Sequence, residues 1–157
     1  MMATGVRRGG RSDVEVIVSL WSESIRHHAR LDPHYRLTDG AEVTWRDHLV
    51  RLLRAPGAAV FVHECDGAAG GFAVVETTQA AAVLSETVRA EITDLYVRPD
   101  ARRRGFGSGL VEASLAWAAE QGALRVEVRV VAGNAEGQAF WRTLGFADFV
   151  DVLQLRL

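Results

Sequence analysis

Three consecutive arginines followed by a glycine-rich turn are the residues of this chain best suited to binding an anion. The segment Arg102-Arg-Arg-Gly-Phe-Gly-Ser-Gly109 lies between an apolar run that ends at Val97 and a helical pattern. Glycine lets the backbone approach a ligand closely, and the first turn of a helix presents unpaired N–H groups and the positive end of its dipole. Arginine adds charged hydrogen bonds. The sequence therefore predicts a phosphate-binding site here.

Two common phosphate-binding loops do not fit this segment. A P-loop needs Gly-Lys-Ser/Thr, and the chain contains no lysine. A dinucleotide-binding fingerprint needs the spacing G-x-G-x-x-G. Gly105, Gly107 and Gly109 are spaced two apart, so the third glycine is misplaced.

Two motifs instead resemble the signatures of the GNAT acyl-CoA-dependent N-acyltransferases. Arg102-x-x-Gly105-x-Gly107 resembles the R/Q-x-x-G-x-G/A signature of that superfamily. Downstream, Asn134-Ala-x-Gly-x-Ala139-Phe-Trp-Arg-Thr-Leu-Gly-Phe146 is similar to its N-x-x-A-x-x-F-Y-x-x-x-G-F signature. The resemblance covers essentially the whole chain, so we expect residues 1–157 to form a single GNAT N-acetyltransferase domain.

The resemblance also implies which residues bind acetyl-CoA, the co-substrate. The amides around 103–108 would hold the pyrophosphate, and Arg102 occupies the basic position of the motif. The strand at 95–97 would splay from its parallel neighbour and pair with pantetheine, with the N–H near Leu95 polarising the thioester carbonyl. The predicted contacts are Leu95, Tyr96, Val97, Arg102, Arg103, Arg104, Gly105, Phe106, Gly107, Ser108, Gly109, Asn134, Phe140 and Trp141. For Asn134, the plain role of helix N-cap stays open.

Glu91 is the candidate general base. On a regular strand Glu91, Thr93 and Leu95 share one face, which puts this carboxylate on the side that binds the thioester. An acceptor amine has a free pKa of roughly 8 to 10 and arrives protonated, so a base must remove its proton. A surface or ion-paired role for Glu91 is the alternative. Asp94 is expected on the opposite face as a structural polar residue.

Trp141 departs from the family pattern, which often has tyrosine there as the acid for the leaving thiolate. An indole N–H donates hydrogen bonds but is not a usable acid. The sequence therefore predicts that Trp141 packs along the CoA cleft and that water or solvent protonates the thiolate.

Residues between the first two helices are candidates for the acceptor pocket. The resemblance implies that this segment lines it, which makes His28 and Tyr35 plausible contacts with a small-molecule or peptide amine. No metal site is expected, because no further ligand stands at reliable spacing from the histidines.

Hydrophobic periodicity predicts a mixed α/β fold in the order β-α-α-β-β-β-α-β-α-β. The first helix opens at the capping box Ser12-Asp-Val-Glu15 and ends before Asp32-Pro33. The remaining predictions are strands at 3–8, 59–64, 71–76, 91–97, 125–130 and 149–157, a loop at 77–88, and helices at 41–54, 106–121 and 135–144. This order agrees with the GNAT fold and its splayed parallel strand pair.

Composition limits the remaining function classes. The formal net charge is -2, so no global basic field indicates nucleic acid or a membrane surface. No apolar run approaches the roughly 18 residues of a membrane span. One cysteine, Cys65, suits a reducing cytoplasm. A homodimer stays open.

The sequence thus predicts an N-acetyltransferase that moves an acetyl group from acetyl-CoA to a primary amine within a ternary complex. Two alternatives remain: a non-catalytic acyl-CoA-binding sensor module, which Trp141 favours, and an N-acyltransferase that uses a longer acyl-CoA.

Overall fold

A mixed sheet of five strands forms the centre of the molecule, which we describe for residues 4–157 of a computed structural model. The strands lie in chain order, and all neighbours are antiparallel except the last pair. Their bounds are β1 Gly5–Arg8, β2 Ala58–Cys65, β3 Ala68–Gln79, β4 Val88–Val97 and β5 Val126–Val128. The helices are α1 Val14–Leu31, α2 Ala41–Leu52, α3 Phe106–Glu120 and α4 Ala135–Thr143. Residue 3, the start of the first predicted strand, lies outside the described residues.

Strand alternation divides the core into two layers, one on each face of the sheet. On β2, Val60 and Val62 pack with α1 and α2, whereas Phe61 packs with α3 and α4. The first layer is built on Ile17, Leu20, Leu49 and Phe72, and the second on Ile92, Leu110, Val111, Trp117 and Trp141. The helices therefore cover both faces, as the predicted fold class requires.

The parallel pair of β4 and β5 separates soon after it forms. Pairing is confined to three positions, Ala90 with Val126, Glu91 with Glu127 and Ile92 with Val128. Beyond Ile92, β4 continues to Val97 along β3 alone. The sheet is therefore open between the two strands, which confirms the predicted splayed pair.

A β-bulge on β4 overturns the predicted arrangement of its side chains. Val75 pairs with Ile92 and Val74 with Asp94, so Thr93 is an extra residue without an opposite partner. An extra residue exchanges the faces of everything that follows. Leu95 consequently packs in the α3 layer with Ile92, and Tyr96 in the α1 layer. Asp94 shares a face with Glu91, so the expectation that Leu95 did so was wrong.

Two further predictions about local structure were wrong. The Ser12–Glu15 capping box does not form: α1 begins at Val14, and Asp13 instead accepts hydrogen bonds from Gly10 N at 2.7 Å and from Arg7. Glu15 pairs with Arg46 on α2, because α2 packs beside the first turns of α1. Residues 149–157 form no strand and are exposed, since within the chain this segment meets no strand edge.

The predicted loop at 77–88 is shorter than expected. β3 runs on to Gln79 and β4 starts at Val88, because Thr77, Thr78 and Gln79 continue the ladder opposite 88–90. Conversely, β5 is shorter than the predicted 125–130, since β4 diverges from it after Ile92.

Gly71 is where the packing of β3 against β4 and α3 leaves no room for a side chain. A Cβ at this position would lie 2.8 Å from the backbone oxygen of Tyr96 and 3.3 Å from Leu110. We predict that Gly71→Ala lowers the free energy of unfolding by roughly 1–3 kcal/mol, the usual result of overpacking. Urea denaturation followed by circular dichroism measures this change.

Gly133→Ala is the matched control, because a Cβ there meets no atom within 4 Å. It should change stability by less than about 0.5 kcal/mol. Equal effects of the two substitutions would contradict the crowding at Gly71.

Candidate active site

A cleft of about 610 Å³ opens where β4 and β5 separate. Residues 106–108 at the start of α3 and residues 134–141 at the start of α4 close one end of the cleft. Residues 21–28 of α1 cover the sheet face beside the opposite end. Its lining brings together Glu91, Leu95, Tyr96, Val97, Arg102, Arg103, Gly105, Phe106, Gly107, Ser108, Asn134, Phe140, Trp141, His28 and Tyr35 from the predicted set.

The loop before α3 offers a run of unused hydrogen-bond donors. Within the described chain, the backbone amides of residues 103–108 donate to no protein acceptor, and the first donor of the helix is Gly109 N, to Gly105 O at 3.0 Å. Arg103 and Gly105 have φ of 59° and 81°. Such left-handed residues turn successive N–H groups toward a common point, which makes an anion-binding concavity. This geometry fits a pyrophosphate.

Arg102 is held beside this loop by contacts on three sides. Its Nε donates to Val97 O at 3.0 Å, and its Nη1 lies 3.5 Å from Glu136 on α4. The guanidinium carbon also lies 5.9 Å from the ring centroid of Tyr96. These contacts fix one positive charge at the mouth of the cleft.

Arg104 and Gly109, both predicted to bind the co-substrate, lie outside the cleft lining. The Arg104 guanidinium lies over Phe106, 5.2 Å from its centroid, and contacts Cys65 on the opposite side of the loop. Phe106 in turn stacks on the buried His63, with centroids 3.4 Å apart. A Cβ at Gly109 would lie 3.2 Å from Val6, so this glycine allows α3 to pack on β1.

The second motif supplies the α4 wall of the cleft. Asn134 caps α4, its Oδ1 accepting from Gly137 N at 3.0 Å. Phe140 is so close to Gly107 that a Cβ there would lie 3.2 Å from its ring. Trp141 is buried against Phe140 and Phe146, at centroid distances of 5.2 and 4.9 Å. Trp141 is therefore a buried packing residue of the α4 wall.

Two carboxylates from β4 face the cleft because of the bulge at Thr93. Glu91 lies 3.3 Å from Nε of Arg129. Asp94 forms no ion pair among the described residues; its side-chain hydrogen bond comes from the Thr93 hydroxyl at 3.0 Å. Burial raises the pKa of Asp94 above its ordinary value of 3.8, more than this hydrogen bond lowers it. Burial therefore favours the protonated form of the Asp94 carboxyl group.

Helix α1 contributes an aromatic and histidine-rich wall facing these carboxylates. His28 Nδ1 lies 2.9 Å from Ser24 O. Because a carbonyl only accepts, Nδ1 carries the proton and Nε2 of the neutral ring is left as an acceptor. The Tyr35 ring lies 5.4 Å from His28. Burial, with smaller contributions from His28 and Arg102, lowers the pKa of His27.

Several lining residues escaped the sequence prediction. They are Trp21, Ser24, Ile25, His27, Ile92, Thr93, Asp94, Val128, Arg129, Val130, Val131, Glu136 and Gly137. The helical spacing of Trp21, Ile25 and His28 could have indicated that this face of α1 lines the cleft, because the predicted apolar stripe continues there into polar residues. No local signal distinguishes Asp94, since the bulge that turns it depends on the pairing with β3.

The described part of the chain contains neither a metal-like cluster nor a membrane-crossing helix. No three His, Cys, Asp or Glu side chains in residues 4–157 are grouped so that they could hold a metal ion. None of the helices there is both long and apolar enough to span a bilayer.

Comparison with known sequences adds independent information on this site. Residues 20–146 match the model of the acetyltransferase (GNAT) family. An uncharacterised N-acetyltransferase of Archaeoglobus fulgidus is 30% identical over 139 residues, which cover 87% of this chain and 88% of that protein. An uncharacterised N-acetyltransferase of Methanocaldococcus jannaschii is 30% identical over 97 residues, 62% of this chain. The chain spans only 42% of that second relative.

Solved structures with the same fold include enzymes with a bound ligand. A tetramutant of a Bacillus halodurans protein superimposes with a TM-score of 0.86 at 18% identity, over 100% of both chains. The aminoglycoside N-acetyltransferase AAC(6')-Iy, in complex with a bisubstrate analogue of CoA and acetylneamine, gives 0.77 at 21% identity over 99% of both. Identities this low show the fold alone.

Asp94 gives a stability prediction with a defined pH dependence. Because its pKa is higher in the folded than in the unfolded chain, its contribution to stability is present at low pH and lost as the pH rises through the folded pKa. We predict that Asp94→Asn raises Tm at pH 7 by roughly 2–4 °C, the shift that about 1 kcal/mol gives in a domain of this size. The gain should vanish below the ordinary aspartate pKa.

Thermal denaturation between pH 3.5 and 8 tests this, with exposed Asp100→Asn as the control that should leave the wild-type profile unchanged. A lower Tm for Asp94→Asn at neutral pH would contradict the argument.

Proposed function

The chain belongs to the acetyltransferase (GNAT) family, and we propose that it transfers an acetyl group from acetyl-CoA to a primary amine by direct attack in a ternary complex. The observation that carries the proposal is the run of unpaired amides at 103–108, which opens into the cleft between the splayed strands. Such a run suits a phosphate group, and beyond it the cleft exposes the β4 edge along which an extended acyl-pantetheine arm can lie.

On this proposal, acetyl-CoA binds with its pyrophosphate on the loop before α3. The amides of 103–108 donate to the phosphate oxygens, with Arg102 and Arg103 adding positive charge. Among the described strands, none pairs with the edge of β4 that faces away from β3 between Thr93 and Val97. Its backbone groups pair with the pantetheine amides by strand addition. Leu95 N–H then polarises the thioester carbonyl.

The two carboxylates of β4 divide the handling of the amine between them. Asp94 directly precedes Leu95 and has the raised pKa, so we assign it the proton of the incoming ammonium group. Glu91 was the candidate base on sequence, but one of its carboxylate oxygens is engaged with Arg129 Nε at 3.3 Å. We therefore assign Glu91 to holding the ammonium group in position. His28 Nε2 and Tyr35 line the path by which a small-molecule or peptide amine would enter.

The reaction then requires few groups from the protein. Once Asp94 holds the proton, the free amine nitrogen bonds to the acetyl carbon and the carbon–sulfur bond breaks. The nitrogen releases a second proton to solvent as the amide forms, and CoA leaves as a thiolate that takes up one proton from solvent. Buried Trp141 has no proton to give at this step.

A non-catalytic acyl-CoA-binding module is the second candidate, and the tryptophan at position 141 is the observation that favours it. A panel of primary amines, including aminoglycosides, polyamines, amino acids and peptides, separates the two candidates. With acetyl-CoA present, thiol release that depends on the amine supports catalysis. Tight acetyl-CoA binding without amine-dependent thiol release across the panel supports the binding module.

The two adjacent arginines provide a matched test of acetyl-CoA binding. We predict that Arg103→Ala weakens acetyl-CoA binding roughly ten-fold, as expected for loss of one charged hydrogen bond. Arg104→Ala should leave the affinity unchanged, because that guanidinium lies over Phe106 outside the cleft. Isothermal titration calorimetry measures both. Equal losses of acetyl-CoA affinity in the two variants would mean that the phosphates contact residues beyond the proposed cleft lining.

The division of roles between Asp94 and Glu91 is tested by substituting each carboxylate with the corresponding neutral side chain. Asp94→Asn should lower kcat roughly 10²–10⁴-fold, the usual contribution of a general base, with acetyl-CoA affinity unchanged. Glu91→Gln should act mainly on KM for the amine. Exposed Glu112→Gln on α3 is the control for loss of a carboxylate and should resemble wild type. The reverse pattern, with kcat lost only in Glu91→Gln, would identify Glu91 as the base.

A further inference from the structure

Phe106 anchors the loop before α3 to the sheet. It stands between Gly105 and Gly107, which have no side chains, and only 4% of its own surface is exposed. The unpaired amides at 103–108 lie on either side of it along the chain. Because its ring is buried and they are not held by hydrogen bonds of their own, the position of the ring decides where these amides point. A shift of Phe106 would therefore move the proposed phosphate-binding groups.

A β-bulge between β2 and β3 forms the slot that receives this ring. The register of the two strands shifts between His63 and Glu64, so Gly70 is an extra residue on β3. A Cβ at Gly70 would lie 3.0 Å from Cε2 of Phe106 and 3.2 Å from the Cβ of Ala101. The bulge and its glycine thus let the first residue of α3 lie directly against the backbone of the sheet.

The imidazole of His63 forms one wall of this slot. Its ring stacks on Phe106 with the centroids 3.4 Å apart and the planes inclined by 14°. His63 is 7% exposed, and its Nδ1 is buried with no hydrogen-bond partner among the described residues. An unpaired buried polar atom costs free energy, and an apolar side chain of the same size would avoid this cost. Exceptions of this kind are expected where a residue serves function.

The slot accepts the neutral imidazole and disfavours the cation. Burial, followed by the charge of Arg104 from the loop, lowers the pKa of His63 below its ordinary value of 6.5, against a smaller contribution from the Glu64 backbone. The neighbouring strands place the uncharged residues Val6 and Gly71 at the paired positions. The cation carries N–H groups on both nitrogens, so it would leave a charged donor unpaired at Nδ1. The stack is therefore formed above pH 6.5 and weakened as the pH falls through the lowered pKa of His63.

We propose that His63 is a positioning residue for acetyl-CoA: stacked on Phe106, the neutral ring holds the loop at 103–108 in the shape that receives the pyrophosphate, and protonation of the ring releases the loop. His63 lies outside the cleft lining, so it acts through Phe106 and not by contact with the ligand. This role rests on the proposed binding of acetyl-CoA at the loop.

Two substitutions of His63 test the positioning role at neutral pH by isothermal titration calorimetry. His63→Ala removes one wall of the slot and should weaken acetyl-CoA binding roughly ten-fold. His63→Phe supplies another stacking ring and should bind within about two-fold of wild type. Val111→Ala is the control for lost packing, because Val111 is buried in the same layer and lies outside the cleft lining.

The packing control should lower Tm and leave the affinity unchanged. The three variants are compared at a temperature at which circular dichroism shows each of them folded. Wild-type affinity in His63→Ala, or an equal loss of affinity in His63→Ala and Val111→Ala, would overturn the positioning role.

The pH dependence of binding tests the requirement for a neutral ring, and it needs no variant without a ring at position 63. The probe is acetyl-dephospho-CoA, which keeps the pyrophosphate but lacks the 3′-phosphate, a group that itself titrates near pH 6. Between about pH 7.5 and about pH 5, wild type should lose at least about three-fold more affinity than His63→Phe. His27 and His28 titrate in both proteins, so their contribution cancels in the comparison. Parallel pH profiles would overturn the proposal.

Failure of this role and failure of the proposed function give different results. Binding of acetyl-CoA that depends on Arg103 but is indifferent to His63 would overturn the positioning role alone. A wild-type protein that binds no acetyl-CoA would overturn the proposed function together with it.

Discussion

The early separation of β4 from β5 is the constraint on which the rest of the molecule depends. Three paired positions hold the strands together at one end, and from Thr93 to Val97 no strand of residues 4–157 pairs with the outer edge of β4. A free backbone edge inside a domain has to be satisfied by water or by a ligand. The helices on either side keep the gap open: α1 covers one face of the sheet, and α3 and α4 cover the other. The cleft is therefore part of the fold.

The bulge at Thr93 connects that opening to the chemistry of the site. One extra residue places Leu95 in the core with Ile92 and turns Asp94 toward Glu91. A carboxylate held in a partly desolvated position, without an arginine partner among the described residues, costs stability at neutral pH. The same desolvation makes it a better proton acceptor. The desolvation that lowers stability at Asp94 thus also favours proton binding there, a combination that is common at functional sites.

The loop before α3 also adopts a conformation that is locally unfavourable in free energy. Arg103 adopts a left-handed conformation although it is not glycine, and six successive amides have no protein acceptor in the described chain. The left-handed conformation of Arg103 carries a backbone cost, and an anion that accepts from the exposed amides would offset it. Phe106, stacked on His63, and Arg102, fixed between Val97 and Glu136, hold the loop in that shape.

The sequence by itself predicted the family and, apart from a last strand that does not form, the order of the α-helices and strands, because periodicity, turn residues and the two motifs are local properties of the chain. It also identified most of the residues that line the cleft, since glycines and arginines at a helix start act through backbone geometry nearby. Only the tertiary structure decided that Asp94 joins Glu91 in the site and that Arg104 lies outside it. Thr93 bulges because the register of β4 against β3 shifts there, and Arg104 lies over Phe106, whose ring stacks on His63 of β2. Residues 149–157 have the alternation of a strand but form none, because a strand forms only where a sheet edge receives it and alternation along the chain does not specify that edge.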